Sequence, residues 1–266
     1  MHSGHPTHAA GTVYEAAIIL LMILALTLYP IAGILTSKFY KKWPPYRYFF
    51  WYSGVLAAMT ALTGPLAERA QTDFVAHMAG HLLLGMLAPL LLVFAMPMTL
   101  LLRSMPVKAG RQLSRLLKCG PIHLLSNPLV AAILNLGGLA VLYTTDLYML
   151  MHQSLVLHIM IHLHVFLAGY LFTISIIYID LTTHRYSFVY RSVVLILALA
   201  AHKILSKHIY ASPPAGVPRA EAERGGMLMY YGGDLIDLAL ITILCYQWYK
   251  ATAPRPIPAE AARQKG

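Results

Sequence analysis

His77 and His81, in the run Asp73-Phe-Val-Ala-His-Met-Ala-Gly-His81, are four residues apart. On a helix that spacing stacks both imidazoles on one face. They sit inside a long apolar stretch, where an ionisable ring needs a polar partner, a wet cavity or a metal. The same spacing recurs at His158 and His162, with His164 two residues on, and later apolar stretches carry His202, Asp234 and Asp237. Imidazole suits copper, zinc and iron, and a carboxylate adds a harder oxygen, so the chemistry these types share is metal binding. Two facing histidine pairs supply four ligands. His162 and His164 lie about 200° apart around a helix, so one of them faces away, and the spacing does not say which.

Each candidate has a plainer role to weigh. Asp234 and Asp237 can pair with Lys203 or Lys207, which would be a structural ion pair. Asp73 is placed to cap the helix that follows it. Met78, Met160, Met227 and Met229 lie in or beside the histidine layer; thioether favours Cu(I), but methionine in apolar helices mostly packs. His2, His5 and His8 form a weak motif without a frame. Gly80, Gly85, Gly169, Gly232 and Gly233 would let helices approach closely around the cluster.

The elements that position these residues follow from composition. Of 266 residues 58% are hydrophobic and 11% charged, and the mean hydropathy is +0.63. The sequence predicts an all-α polytopic membrane protein, a bundle of about seven helices at 15–36, 47–66, 74–102, 128–145, 154–179, 188–208 and 227–249. Pro89 and Pro97 should kink or end the third near Met96. The segments divide into an outer N-terminal tail over 1–14, a membrane domain over 15–250 and a disordered cytoplasmic tail over 251–266. No soluble domain fits between the spans. Cys119 and Cys245 form no CxxC, so neither a thiolate site nor a disulfide framework is indicated. Residues 1–14 contain no Lys or Arg, and the first apolar run is span-length, so no cleavable signal is expected.

Fifteen of the twenty Lys and Arg fall in one set of alternate loops, which places the N-terminus outside and the C-terminus in the cytoplasm, in the cell membrane. The charge of +10 is therefore a topology signal and not a nucleic-acid one. Most acids lie on the outer side. The loop pattern Arg111, Leu113, Arg115, Leu116, Leu117, Lys118 suggests an amphipathic surface helix, and 209–226 reads as a flexible outer loop. With this orientation His77 and His81 lie about 5 and 10 Å inside the outer end of their helix. His158, His162, His202, Asp234 and Asp237 fall at similar depths on three other helices. That convergence is the main inference from the residues themselves.

The run His77-Met-Ala-Gly-His81-Leu-Leu-Leu-Gly-Met-Leu-Ala-Pro89, then Pro97 and Leu100-Leu-Leu-Arg103, resembles the multispanning bacterial cytochrome c oxidase assembly factor CtaG family. So do His158, His162-Leu-His164, Gly169, Asp180, Arg185, Arg191, His202 and Gly225-Gly-Met-Leu-Met-Tyr-Tyr-Gly-Gly-Asp234, in the same order over residues 47–250. The resemblance implies an assembly factor for haem-copper oxidases that helps form the CuB centre, with an oxidase subunit and the lipid bilayer as partners, and not a catalyst. It does not itself identify ligands. Copper is the expected metal, with zinc or iron as alternatives. An intramembrane zinc or iron enzyme, with Asp234 or Asp237 as general base on a metal-bound water, uses the same residues, as does a haem protein with paired axial imidazoles.

Overall fold

The computed structural model describes residues 5–182 and 184–253. Among them there are helices and no strands. The spanning helices are α1 (His5–Thr36), α2 (Pro45–Leu62, followed by the short Gly64–Arg69), α3 (Phe74–Ala95), α4 (Pro128–Thr144), α5 (Leu155–Ile176), α6 (Phe188–Ala211) and α7 (Arg219–Thr252). Six of them are long and apolar enough to cross a membrane singly. Among the described residues α4 and Leu147–Gln153, bent by 81°, pass the same test only together, as a broken span or a re-entrant segment, which makes six crossings or seven.

Three boundaries differ from expectation. Residues 5–14, expected as a tail, already belong to α1; His2 lies outside the described residues. Of the expected C-terminal tail only 251–253 are described, and Ala251 and Thr252 still close α7. The outer loop is shorter than 209–226, because α7 starts at Arg219. Pro218 sets the backbone before it, Arg219 pairs with Glu223 at 3.0 Å one turn on, and Ala222 is fully buried. The Glu221 carboxylate accepts the Phe74 amide at 3.0 Å, which ties the start of α7 to the start of α3. The amphipathic surface helix is present as Val107–Leu117.

α3 is the central helix: 67% of its apolar stretch is buried, against 33% or less in every other single span. It packs on α2, α5 and α7, while α6 lies along α7 and α1 rests mainly on α2 and Pro97–Ser104. Its sequence ends it at Ala95. Met96 takes a left-handed conformation (φ 56°), and Pro97 restarts a separate helix, Pro97–Ser104. The free amides of Met98 and Thr99 there donate to the Asp180 carboxylate at 2.8 and 3.0 Å. Asp180 is thus a helix cap at the end of the bundle remote from His77 and His81.

Two spans contain π turns, Leu82–Leu87 in α3 and Ile133–Gly137 in α4. Each widens its helix locally, a distortion that recurs at functional sites. The first begins immediately after His81. Opposite it, α3 and α5 cross so closely that a Cβ on Gly169 would run into the Gly85 carbonyl, and one on Gly85 would lie 2.9 Å from Val165 Cγ1. Gly80, by contrast, has ordinary room.

Gly169→Ala should force the two backbones apart and lower stability by about 1–3 kcal/mol, the usual cost of overpacking. Gly80→Ala should leave the thermal transition in detergent unchanged, and equal losses in both variants would refute the crossing.

Candidate metal site

Asp73 is the N-cap of α3, its Oδ1 accepting from the amides of Val75 and Ala76 at 2.8 and 3.4 Å. One turn below, His77 is buried. Its Nε2 meets the Tyr143 hydroxyl at 3.1 Å. Around it stand His162 and His152, with ring centroids 6.4 and 6.3 Å away, and His158 lies 4.1 Å from His162. These four rings line a cavity of about 160 Å³ that also meets Tyr14, Glu15 and Glu68. Both glutamates are exposed, whereas His152, His158 and His162 are half-buried.

Local helix geometry fixes two of these rings. His162 Nδ1 donates to the His158 carbonyl and His152 Nδ1 to the Tyr148 carbonyl, both at 2.9 Å. A carbonyl can only accept, so in each ring Nδ1 carries the proton and Nε2 keeps its lone pair. Metal-binding histidines are commonly held by such a bond to the second nitrogen.

His81 opens onto a different space. With His202, Asp237 and Asn135 it lines a cavity of about 30 Å³, whose other walls include Gly85, Met86 and Leu136 from the two π turns. His81, His202 and Asp237 are 6%, 5% and 5% exposed. Both ring nitrogens of His81, both of His202 and one carboxylate oxygen of Asp237 have no hydrogen-bond partner. Buried polar atoms are nearly always paired, so three such side chains around one cavity suit a bound cation or water. Gly233 makes this geometry possible, because a Cβ there would sit 2.6 Å from His202 Cε1.

Of the eight expected ligands, His77, His158 and His162 belong to the outer group, and His81, His202 and Asp237 to the deeper one. Two belong to neither. His164 turns toward α4, its Nε2 donating to the Leu134 carbonyl in the π turn at 3.2 Å, with its ring filling the space above Gly138. Asp234 pairs with Lys203 at 2.5 Å on a half-exposed face, the plainer of its two roles. Met78 and Met229 are fully buried in the apolar core around Phe74 and Tyr143, and Met160 and Met227 are exposed. The close-contact role of glycine holds for Gly85, Gly169, Gly232 and Gly233. Among the described residues no three His, Cys, Asp or Glu stand close enough to hold a metal ion as they are, so any ion must draw the side chains together.

His152 and Tyr143 were not legible as site residues. His152 falls in a connection by hydropathy, and only the sharp bend after α4 swings Leu147–Gln153 over the outer cavity. The one sequence hint is Tyr148, four residues before His152 and on the same face.

A family model described as cytochrome c oxidase caa3 assembly factor, Caa3_CtaG, matches residues 27–251. The chain belongs to the CtaG family. Its match covers the sequence from within α1 to the end of α7. Among similar curated proteins is ML1998 of Mycobacterium leprae, 26% identical over 229 residues, which are 78% of this chain and 35% of that protein. Mb0105 of Mycobacterium bovis and MT0111 of Mycobacterium tuberculosis are each 31% identical over 147 residues, 53% of this chain and 22% of theirs. This CtaG-family chain thus spans about a third or less of the length of these relatives. No solved structure matches it.

Unpaired buried groups weaken a fold, and replacing them with apolar groups of similar size can be neutral or favourable. His202→Leu and Asp237→Leu should therefore keep or raise the thermal transition of the metal-free protein. Tyr143→Phe, which strands His77 Nε2, should lower stability by about 1–3 kcal/mol. A large loss in both leucine variants would mean that His202 and Asp237 hold the fold together.

Proposed function

We propose that this chain is a cytochrome c oxidase assembly factor that binds copper transiently in its histidine layer and passes it to a haem-copper oxidase subunit in the bilayer, assisting formation of the CuB centre. The observation that carries this reading is the set of buried, unpartnered donors on His81, His202 and Asp237 inside a member of an oxidase-assembly family. Copper is cargo here and not a resident cofactor, so the protein has to bind and release it. Donors that lie near one another without forming a closed three-ligand cage suit that task, since exchange needs open positions and alternative ligands.

The chain's own residues supply three things. His152 and His162 line the outer cavity with Nδ1–H held on backbone carbonyls, which leaves Nε2 of the neutral ring free to ligate. Asp237 offers a buried carboxyl that can give up its proton to an arriving ion and offset its charge, at a depth where an uncompensated cation would be costly. Glu15 and Glu68 at the outer cavity raise the local concentration of cations. In this reading the histidine end faces outward from the cytoplasmic membrane, in keeping with the skew of Lys and Arg to the other end, and no catalytic turnover is involved.

The purified protein should retain copper. Replacing His77 and His81 together by Ala removes one donor from each cavity and should cut retained copper at least tenfold, measured by elemental analysis. In cells lacking the gene, the oxidase should contain haem but be deficient in CuB. Normal copper content in that oxidase would defeat the role.

A further inference from the structure

We propose that the histidine layer is two metal stations in series: a mouth station of His77, His152, His158 and His162, and an inner station of His81, His202 and Asp237, with Tyr143 standing between them. This rests on the copper reading above and divides its single site. The first support is that the two sets line separate cavities, about 160 and 30 Å³, that share no lining residue. His77 and His81, neighbours on one helix face and separated by about 6 Å along the axis, open into different ones.

The stations differ in character. At the mouth the rings are half-buried apart from His77, lie beside exposed glutamates, and hold Nδ1–H on carbonyls where the geometry fixes it. That is an accessible set, prepared for capture and quick exchange. The inner set is buried where α3, α6 and α7 meet, and both ring nitrogens of each imidazole and one Asp237 oxygen have no partner. A cavity holds a water once it offers about 10–15 Å³, so 30 Å³ accommodates a small ion with an additional ligand. Donors that are otherwise unpaired gain most from an ion, and the adjacent carboxylate makes this the tighter station.

Tyr143 is the divider. It is 2% exposed, its hydroxyl meets His77 Nε2, and its ring stands edge-on to both imidazoles, 6.0 Å from His77 and 6.4 Å from His81. While that hydrogen bond stands, His77 Nε2 is occupied. Loading the inner station requires the bond to open so that His77 can take the ion from the mouth and yield it to His81. Each step exchanges one nitrogen lone pair for another, so no electron and no chemical group changes hands.

The test uses the full-length protein in detergent, stripped of metal and titrated with Cu(I) from a coloured chelator complex, with stopped-flow detection. Wild type should bind two ions per chain in two phases. His152→Ala with His158→Ala should bind one ion and load it at least tenfold more slowly. His202→Ala with Asp237→Asn should also bind one ion, taken up at the wild-type fast rate and released to chelator at least tenfold faster than the tight wild-type ion. Tyr143→Phe should speed the slow phase several-fold. His152→Ala alone, at a half-buried position, keeps the test valid should a double variant misfold, and should slow loading several-fold. A single wild-type ion lost from both double variants, or an unchanged loading rate after mouth substitutions, overturns the series while leaving the copper reading intact. No copper bound by wild type overturns both.

Discussion

A polar atom inside a bilayer has no water to turn to, so each one must be met by the protein or by something the protein carries. Most of this molecule obeys the first alternative. Arg191, buried on α6, donates from one terminal nitrogen to the Ile176 carbonyl at 2.6 Å and lies against the rings of Tyr178 and Phe188, 4.0 and 4.4 Å from their centroids, although its Nε has no hydrogen-bond partner. Tyr29 donates to the Ala95 carbonyl at the broken end of α3, and Trp43 donates to Tyr29 in turn. Asp180 takes the amides of the helix that restarts there. At that end of the bundle, these polar side chains serve the fold.

Single unpaired atoms remain on Arg47, Arg103, Thr182 and Arg191, but at the other end three side chains, His81, His202 and Asp237, converge on one cavity with five such atoms left over. The backbone is shaped to allow it. A π turn follows His81 in α3, another lies across the cavity in α4, and Gly233 leaves room for the His202 ring. The Gly85–Gly169 crossing holds α5 hard against α3 at this level, so the cavity cannot collapse by a simple shift of that helix. Unmet polar groups persist in a native fold where function requires them, and here they gather beside two π turns around one small space.

The outer cavity is governed by ordinary local rules. An imidazole at position i that reaches the carbonyl at i−4 is a helix-surface habit, yet in His152 and His162 it also fixes which nitrogen keeps its lone pair. Tyr143 touches both regions, because its hydroxyl meets His77 Nε2 while its ring lies edge-on to His77 and to His81. A position identified by hydropathy as plain span interior thus becomes the hinge of the site.

Legible in the chain alone were the helical membrane class, the order and approximate centres of the spans though not the starts of α1 and α7, the family through its motifs, and six of the residues that line the two cavities. The class, the spans and the candidate ligands depend on hydrophobic run length and on i, i+4 spacing, and the family on a resemblance of motifs, all of them read along the chain. The packed fold was needed to show that the layer is two cavities and not one, that His162 and not His164 lines the outer cavity, that Asp234 is taken by Lys203, that His152 lines the outer cavity, and that Tyr143 touches His77 and His81. Those outcomes hang on how far each helix is rotated and where it bends: the π turns re-aim side chains, and the 81° bend after α4 brings His152 back over the bundle. Rotation and bending are settled by contacts between segments distant along the chain, and no spacing rule within one segment contains them.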